Sequence, residues 1–596
     1  MSEKKVTVTA GGSFLLDPIG SVIIGTPEDF SEEERMFGQT TSDFVQKAVL
    51  PKIEEIEAQE PGVVDGLLKK AGELGLLSMD VPEAYGGMGQ TKTASMYVAE
   101  CISPAGSFGV AQMAHTGIGT LPIVFFGNED QKNKYLPDLA SGTKLAAYAL
   151  TETGSGSDAL AAKSKAVLTK DGKHYVLNGS KQFITNAGFA DVFVVFAKID
   201  GEKFTGFIIE KGTPGFSLGL EEKKLGIKGS STRALIFEDC KVPKENLLGE
   251  IGKGHKIAFN ILNVGRFKLG AAALGSAKAV TIEAVKYGNQ RIQFGQPITK
   301  FGMVSRKIAD MIAYIYSCES MVYRVASLMD GRMADIDKNA EDAAVKMMEA
   351  IEEYAIEDSI IKVYGSECFD YCADEAVQIF GGYGYTQEYP AERYYRDARI
   401  NRIFEGTNEI NRLVTTTTLL KRVTKGAIPF MSAAKTIGQE AESGKLSIAA
   451  PKGKLQWAAD AAERTKRATI FVSNAVIGKY MATLANEQEA IEIIADMIIH
   501  AFAADSTVVR TLQLVQKVGE DKAKFAIAAC NLAVQQAADS TFMLATQLLA
   551  SVFDGDQLKK LTKSLHNLRL TDRINMIATK RMVAGRIIER EAYELI

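Results

Sequence analysis

"YVLNGSKQFI", Tyr175 to Ile184, decides the fold class, because it interrupts a chain that reads as helical on both sides. Two apolar runs flank Asn178-Gly179, and both of these residues tolerate the positive φ of a type I′ turn, so the spacing predicts a β-hairpin. "DVFVVFAKIDGEKFTGFII" (Asp191 to Ile209) repeats the pattern with Asp200-Gly201 as the turn. "ALIFEDCKVP" (Ala234 to Pro243) adds a strand closed by proline. Residues 146–250 therefore read as a middle β-domain.

Outward from it the period changes from two to 3.6 residues. Upstream, residues 28–145 read as a helical domain, opened by a capping-box pair, Ser31 and Glu34, and continued around 63–75, 91–104 and 129–140. Downstream, long helical segments at 256–288, 302–330, 340–372 and 374–380 predict a helix-bundle domain over 251–424. "KGAIPFMSAAKTIGQEAESGKLSIAAPKGK", Lys425 to Lys454, is rich in Gly, Ser, Ala and Pro and reads as a linker. Residues 455–596 are helical again, with apolar faces around 468–484, 488–517, 522–552 and 556–590. The expected class is α+β and multidomain.

Bulk properties exclude some functions. A net charge of −4 gives no reason to expect nucleic acid as a partner. The six cysteines lack a disulfide rhythm, and Cys368 and Cys372, which share a helix face, have no His or third Cys to complete a metal set. The N-terminal stretch has no apolar core, and its first arginine is Arg35, so no leader is expected. No apolar run reaches the roughly 20 residues of a membrane span. The expected location is the cytoplasm. Lys559, Lys560, Lys563, Arg569, Arg573, Lys580, Arg581 and Arg586 read as a solvated helix face, with peripheral membrane contact left open.

Several short stretches could carry chemistry. "AYALTETGSGSDA" (Ala147 to Ala159) is either a surface turn or a loop whose N–H groups and hydroxyls approach an anion or a planar heterocycle. "GSKQFITNAG" (Gly179 to Gly188) puts Phe183 and Thr185 two residues apart, on one face of a strand. "NQRIQFGQP" offers Arg291 beside Phe294, a pairing suited to a phosphate and a stacked base, and "QIFGGYGY" is either a helix C-cap or a close-approach surface. "RIFEGTNEI" sets Glu405 after two apolar residues and before Gly406. Such a carboxylate is either a helix-start residue, capped by Thr407, or a general base whose proton affinity is raised by burial.

Taken in order, "TETGSGSD", "NGSKQFITN", "LGIKGSSTRALIFEDCKVPKENLLG", "QRIQFG", "QIFGGYGY" and "RIFEGTNEI" resemble the successive signatures of the flavin-dependent acyl-CoA dehydrogenases over about residues 30–425. "NVGRF" (Asn263 to Phe267) and the region after 425 make the chain most similar to the long and very-long-chain branch. The resemblance implies a helical domain, a β-domain and a four-helix bundle, with FAD bound between them and across a homodimer contact. It implies that Tyr148, Leu150, Thr151, Gly156, Ser157, Phe183 and Thr185 line the flavin and its phosphates. Arg291, Gln293, Phe294, Gln378, Gly381 and Gly382 would reach a neighbouring subunit's FAD, and Thr407 and Glu409 would complete the site. Ser157, Asn263 and Arg266 would touch CoA, with Gly406 leaving room for the thioester.

Glu405 would remove the α-proton of a long-chain acyl-CoA while the β-hydride passes to the flavin, giving a trans-2-enoyl-CoA as in the first step of fatty acid β-oxidation. The electrons would go to electron-transfer flavoprotein. Val110 and Ala114, small and apolar, would leave the acyl channel deep. Phe183 stands where many relatives have tryptophan, and residues 425–454 lack the basic apolar helix of membrane-attached relatives. The alternatives on the same fold are an acyl-CoA oxidase using O2 and an assembly scaffold for a respiratory complex.

Overall fold

The computed structural model of the chain describes residues 5–338, 340, 342–448 and 451–596. Residues 1–4 and 449–450, parts of the leader and linker readings, lie outside the described residues. Seven helices come first: α1 (Glu32–Phe44), α2 (Ile53–Glu57), α3 (Val63–Glu73), α4 (Lys92–Ile102), α5 (Ser107–Ala114), α6 (Leu121–Phe126) and α7 (Glu129–Ser141). The Ser31 and Glu34 capping box forms with both of its bonds, and Asn128 and Gln131 make a second one at α7. Each satisfies helix N–H groups that have no partner within the helix.

Eight strands follow: β1 (Ala146–Ala149), β2 (Lys165–Leu168), β3 (His174–Thr185), β4 (Val192–Ile199), β5 (Lys203–Glu210), β6 (Phe216–Glu221), β7 (Thr232–Pro243) and β8 (Leu247–Leu248). They form one sheet in the order β6-β7-β3-β2-β4-β5-β8, with β1 parallel to β4. Asp200 (φ 54°) and Gly201 (φ 81°) make the expected tight turn between β4 and β5. Asn178-Gly179 does not turn. β3 runs straight through it, and the pairing with β7 slips there, between Leu177 and Gly179. The local signal lost to a cross-strand partner: the Asn178 side chain exchanges hydrogen bonds with Asp239, at 2.9 and 3.1 Å. The turn into β3 is made by Asp171-Gly172 instead, with Gly172 at φ 69°.

β4 is buried on both faces. Val192, Val194 and Phe196 join the main core with Ile257, Ala258 and Ile261, whereas Phe193, Val195 and Ala197 face the sheet's own core.

The bundle contains α8 (Gly254–Gln290), α9 (Gly302–Met333), α10 (Ala343–Glu352), α11 (Ala355–Phe380), α12 (Pro390–Ile400) and α13 (Asn408–Thr424), with a small hairpin of β9 (Ile292–Gln293) and β10 (Gln296–Pro297) after α8. α8 and α11 meet backbone to backbone at Gly270 and Gly365: a Cβ on Gly365 would lie 3.1 Å from Gly270 O. That approach brings the site residues of both helices to one wall.

The stretch read as a linker contains a helix. α14 (Phe430–Ser443) buries Phe430, Ala434, Ile437 and Ala441, and closes at Gly444 (φ 71°). Its apolar stripe is narrow, and the Ser, Gly and Ala residues on the other faces hid it. Beyond it come α15 (Gln456–Tyr480), α16 (Gln488–Val518), α17 (Lys524–Val552), α18 (Gly555–Leu568) and α19 (Met576–Arg590), so the run read as 556–590 is two helices.

Contrary to expectation, one helical stretch among the described residues, Gln456–Asn486, is long and apolar enough to cross a membrane by length and composition. Its apolar residues Ala468, Ile470, Val472 and Val476 are buried in the protein. The segment before α1, unassigned by periodicity, runs along α15 and α16: Ile19 N donates to Glu463 and Lys466 donates to Asp17 O.

Candidate active site

The loop between α12 and α13 carries the carboxylate singled out by the sequence. Thr407 is the N-cap of α13, accepting from Ile410 N at 3.3 Å, so the helix-start reading of that residue holds. Glu405 (φ 57°) and Gly406 (φ 78°) are both left-handed. For a residue with a side chain that conformation costs about 1–3 kcal/mol, and such strain gathers at functional sites.

The loop is held by its backbone oxygens. Arg266 Nε donates to Glu405 O at 3.4 Å, Lys362 Nζ to Gly406 O at 2.7 Å, and Asn411 Nδ2 to Gly406 O at 2.9 Å and Thr407 O at 3.0 Å. Glu405 Oε2, by contrast, is buried and has no hydrogen-bond partner. Burial pushes the Glu405 carboxyl up to about 7, against the opposing pull of Arg266 and Lys362. The Lys362 ammonium is pulled down by burial to about 7.

Space for the carboxylate comes from α8. A Cβ on Gly265 would lie 2.4 Å from Glu405 Oε2. Gly265→Ala should therefore displace the carboxylate and lower turnover, while melting temperature stays level or rises, because alanine is better than glycine in a helix by about 1 kcal/mol. A variant with wild-type turnover would show that the carboxylate does not need this position.

Glu405 opens into a cavity of about 1360 Å³. That exceeds the roughly 300–1,000 Å³ usual for one small ligand. Tyr148, Leu150, Thr151, Gly156, Ser157, Phe183, Thr185, Asn263, Arg266, Glu405, Gly406 and Thr407, which the sequence singled out, all line it. The loop after β1 is tied down by a buried ion pair, Lys181 Nζ to Glu152 Oε1 at 2.7 Å, and by Gln182 N donating to Thr151 O. Phe183 reaches the wall through a bulge: it has φ 60°, and the pairing of β3 with β7 slips between Lys181 and Ile184. Simple strand alternation is therefore not what places it beside Thr185.

Three residues expected at this site do not line the cavity, and the six expected at a neighbouring subunit's FAD are outside it too. Val110 and Ala114 are half-buried on α5 and do not line the cavity; Ile118, in the following turn, does. Glu409 is exposed on α13, outside the lining. Arg291, Gln293, Phe294, Gln378, Gly381 and Gly382 are also outside it. Phe294 is 93% exposed at the tip of the β9–β10 hairpin, and the Arg291 guanidinium lies 5.7 Å from the centre of the Tyr383 ring.

Sequence reasoning missed Gly265 and Lys362. The signal for the first was a glycine in mid-helix, and for the second a lysine inside the apolar run "SIIKVYG". Lys421, Arg422 and Lys425 on the rim were also missed, because a basic helix end reads as a C-terminal cap.

Family models for the acyl-CoA dehydrogenase N-terminal, middle and C-terminal domains match residues 31–143, 147–240 and 252–420, and a further acyl-CoA dehydrogenase C-terminal domain matches 464–567. A probable acyl-CoA dehydrogenase of Bacillus subtilis (strain 168) is 47% identical over 100% of both chains. The very long-chain specific mitochondrial enzyme of Homo sapiens is 40% identical over 65% of this chain and 58% of its own length. The crystal structure of an acyl-CoA dehydrogenase complexed with FAD from Bacillus anthracis, 48% identical, superposes with a TM-score of 0.95 over 98% of this chain and all of that one. The domains, the cavity and the full-length similarity agree: the chain belongs to the acyl-CoA dehydrogenase family.

Proposed function

We propose that the protein is an FAD-dependent dehydrogenase that converts long-chain acyl-CoA to trans-2-enoyl-CoA, with Glu405 as the base. The observation that carries this reading is Glu405, whose Oε2 is buried without a hydrogen-bond partner and which lines a cavity large enough for a cofactor and a substrate together. The wall fits a flavin: Phe183 offers a ring, Thr151 and Thr185 offer hydroxyls, and a Cβ on Gly156 would meet nothing within 4 Å. When bound, FAD supplies a two-electron acceptor for the hydride.

The remaining chemistry falls to the chain's own residues. Glu405 must be ionised to take the α-proton, and its raised proton affinity makes it a competent base near neutral pH. Arg266 and Lys362 hold the loop by Glu405 O and Gly406 O, and Glu405 Oε2 is left without a hydrogen bond. Acyl tails that fill the cavity expel water and strengthen the electrostatic interactions within it.

The long-chain preference rests on cavity size and on the very-long-chain relatives. Electron-transfer flavoprotein is the acceptor we favour, and the exposed patch of Ile292, Phe294, Tyr383 and Tyr385 is the surface we assign to a second copy in a homodimer that contributes to the partner's cofactor site. Six free cysteines favour the cytoplasm.

Anaerobic titration of the flavin-loaded protein with acyl-CoAs from butyryl to eicosanoyl tests the reading. Visible flavin absorbance should fall fastest with long chains, and the reduced flavin with product bound should persist in air until electron-transfer flavoprotein is added. A profile peaking at octanoyl or shorter would overturn the chain-length assignment, and rapid reoxidation by O2 would point to an oxidase.

A further inference from the structure

The oxygen of Gly406 is one end of a hydrogen-bond chain that leaves the cavity and ends outside the bundle. Lys362 Nζ donates to Gly406 O and to Asn408 Oδ1, both at 2.7 Å. Asn408 Nδ2 donates to Glu367 Oε1 at 3.0 Å, and Arg412 Nη2 donates to the same oxygen at 2.9 Å. Arg412 Nε then donates to Asp496 Oδ1 at 2.7 Å. Asp496 lies on α16, in the helical region after residue 455 that forms no part of the cavity wall.

We propose that Asp496 is a positioning residue for the dehydrogenation: it fixes Arg412 and, through Glu367, Asn408 and Lys362, the backbone that aims Glu405. The inference rests on the function proposed above. The C-terminal helical region is then part of the machinery that sets turnover, and not only a cover for the bundle.

Three features carry the argument. First, the guanidinium fork is planar, so binding two carboxylates through Nε and Nη2 fixes the angle between α16 and α11 as seen from α13. Second, the donors are shielded from water: the Arg412 side chain is 13% exposed and the Lys362 side chain fully buried, against 33% for Glu367 and 24% for Asp496. Third, among the described residues Asp496 is the carboxylate of α16 that bonds Arg412. His500, one turn on, is kept neutral by burial and by Arg412, and Glu492, one turn back, makes no bond to Arg412. With Asp496 lost, Arg412 would draw on Glu367 and compete with Asn408 for it. A small shift of a reacting group, imposed from far off, can cost about 100-fold in rate.

Asp496→Asn and Glu367→Gln are compared with wild type as flavin-loaded proteins, with kcat taken per bound flavin. Asp496→Asn should lower kcat about 10-fold or more while KM for acyl-CoA stays within about twofold. Asp496→Glu, which keeps the charge, should recover most of the rate, and Glu492→Gln on the same helix should match wild type. In the Glu367→Gln background, Asp496→Asn should add less than about twofold, since both act through one chain.

Should Asp496→Asn hold no flavin, Glu367→Gln carries the same test through the middle of the chain. Wild-type kcat in both variants overturns the proposal, as does an equal loss in Glu492→Gln. A wild-type protein whose flavin no acyl-CoA reduces would instead overturn the proposed function, and this inference with it.

Discussion

Glu405→Gln is expected to slow flavin reduction by acyl-CoA about 10²- to 10⁴-fold, the range lost when a general base is removed. Glutamine has the shape of glutamate but no proton affinity to offer. The fold should tolerate it, because Oε2 makes no hydrogen bond that the amide would break. Flavin content and melting temperature should therefore stay near wild type.

The pH dependence gives the same assignment a second test. Only the ionised base works, so the wild-type rate should climb as pH rises through about 7, and the residual rate of Glu405→Gln should lack that limb. The stability sign is opposite. The folded state holds this proton more tightly than the unfolded chain, whose value is 4.5, so the contribution is fully present below 4.5 and is lost as pH rises through about 7. Activity gained where stability is spent is the signature of a buried base, and stopped-flow traces against pH would show it. If the glutamine variant bleaches its flavin as fast as wild type, Glu405 is not the base.

Residues with short-range causes were legible in the sequence. The Ser31–Glu34 box and the Asp200-Gly201 turn depend on neighbours a few positions away, and both form as read. Asn178-Gly179 has the same local pattern, yet its outcome was decided by Asp239, 61 positions on, which local reading cannot see. α14 was missed for a related reason: its four buried residues sit at helical spacing, but composition outweighed them.

At the site, residue types that chemistry demands were readable, Glu405 above all. The residues that position them were not. Lys362 is 44 positions from the carbonyl it holds, and Gly265 matters only because Glu405 folds against it. Val110 and Ala114 do not line the cavity, whereas Ile118 does, within the five residues after α5 that form a wider π-helical turn which an ungapped register cannot foresee.

The second large effect lies where the C-terminal helices meet the bundle. Asp505→Ala is expected to destabilise the protein by about 3–5 kcal/mol, the usual result of breaking a buried ion cluster from one side. Asp505 on α16 accepts from Arg324 Nη1 of α9 at 2.5 Å and from Lys466 Nζ of α15 at 2.8 Å, and both cations are 1% exposed. Those two charges hold the Asp505 carboxyl below the usual range despite its burial. Its contribution is accordingly present above the unfolded value of 3.8 and lost as pH falls below it.

Alanine would leave two buried cations facing a void. Among the described residues, Arg324 would keep Ser506 Oγ at 3.1 Å and the Phe502 ring at 5.1 Å, and Lys466 would keep Asp17 O and a 3.3 Å contact with Glu463. Replacing all three with apolar residues of matched volume should recover much of the loss, because it removes the desolvation cost along with the attraction. The loss should also be local first: the cluster ties α15 and α16 to α9, so limited proteolysis of Asp505→Ala should cut within residues 456–596 before it cuts the rest of the chain. An unfolding free energy within about 1 kcal/mol of wild type would mean that water, and not Asp505, balances these cations.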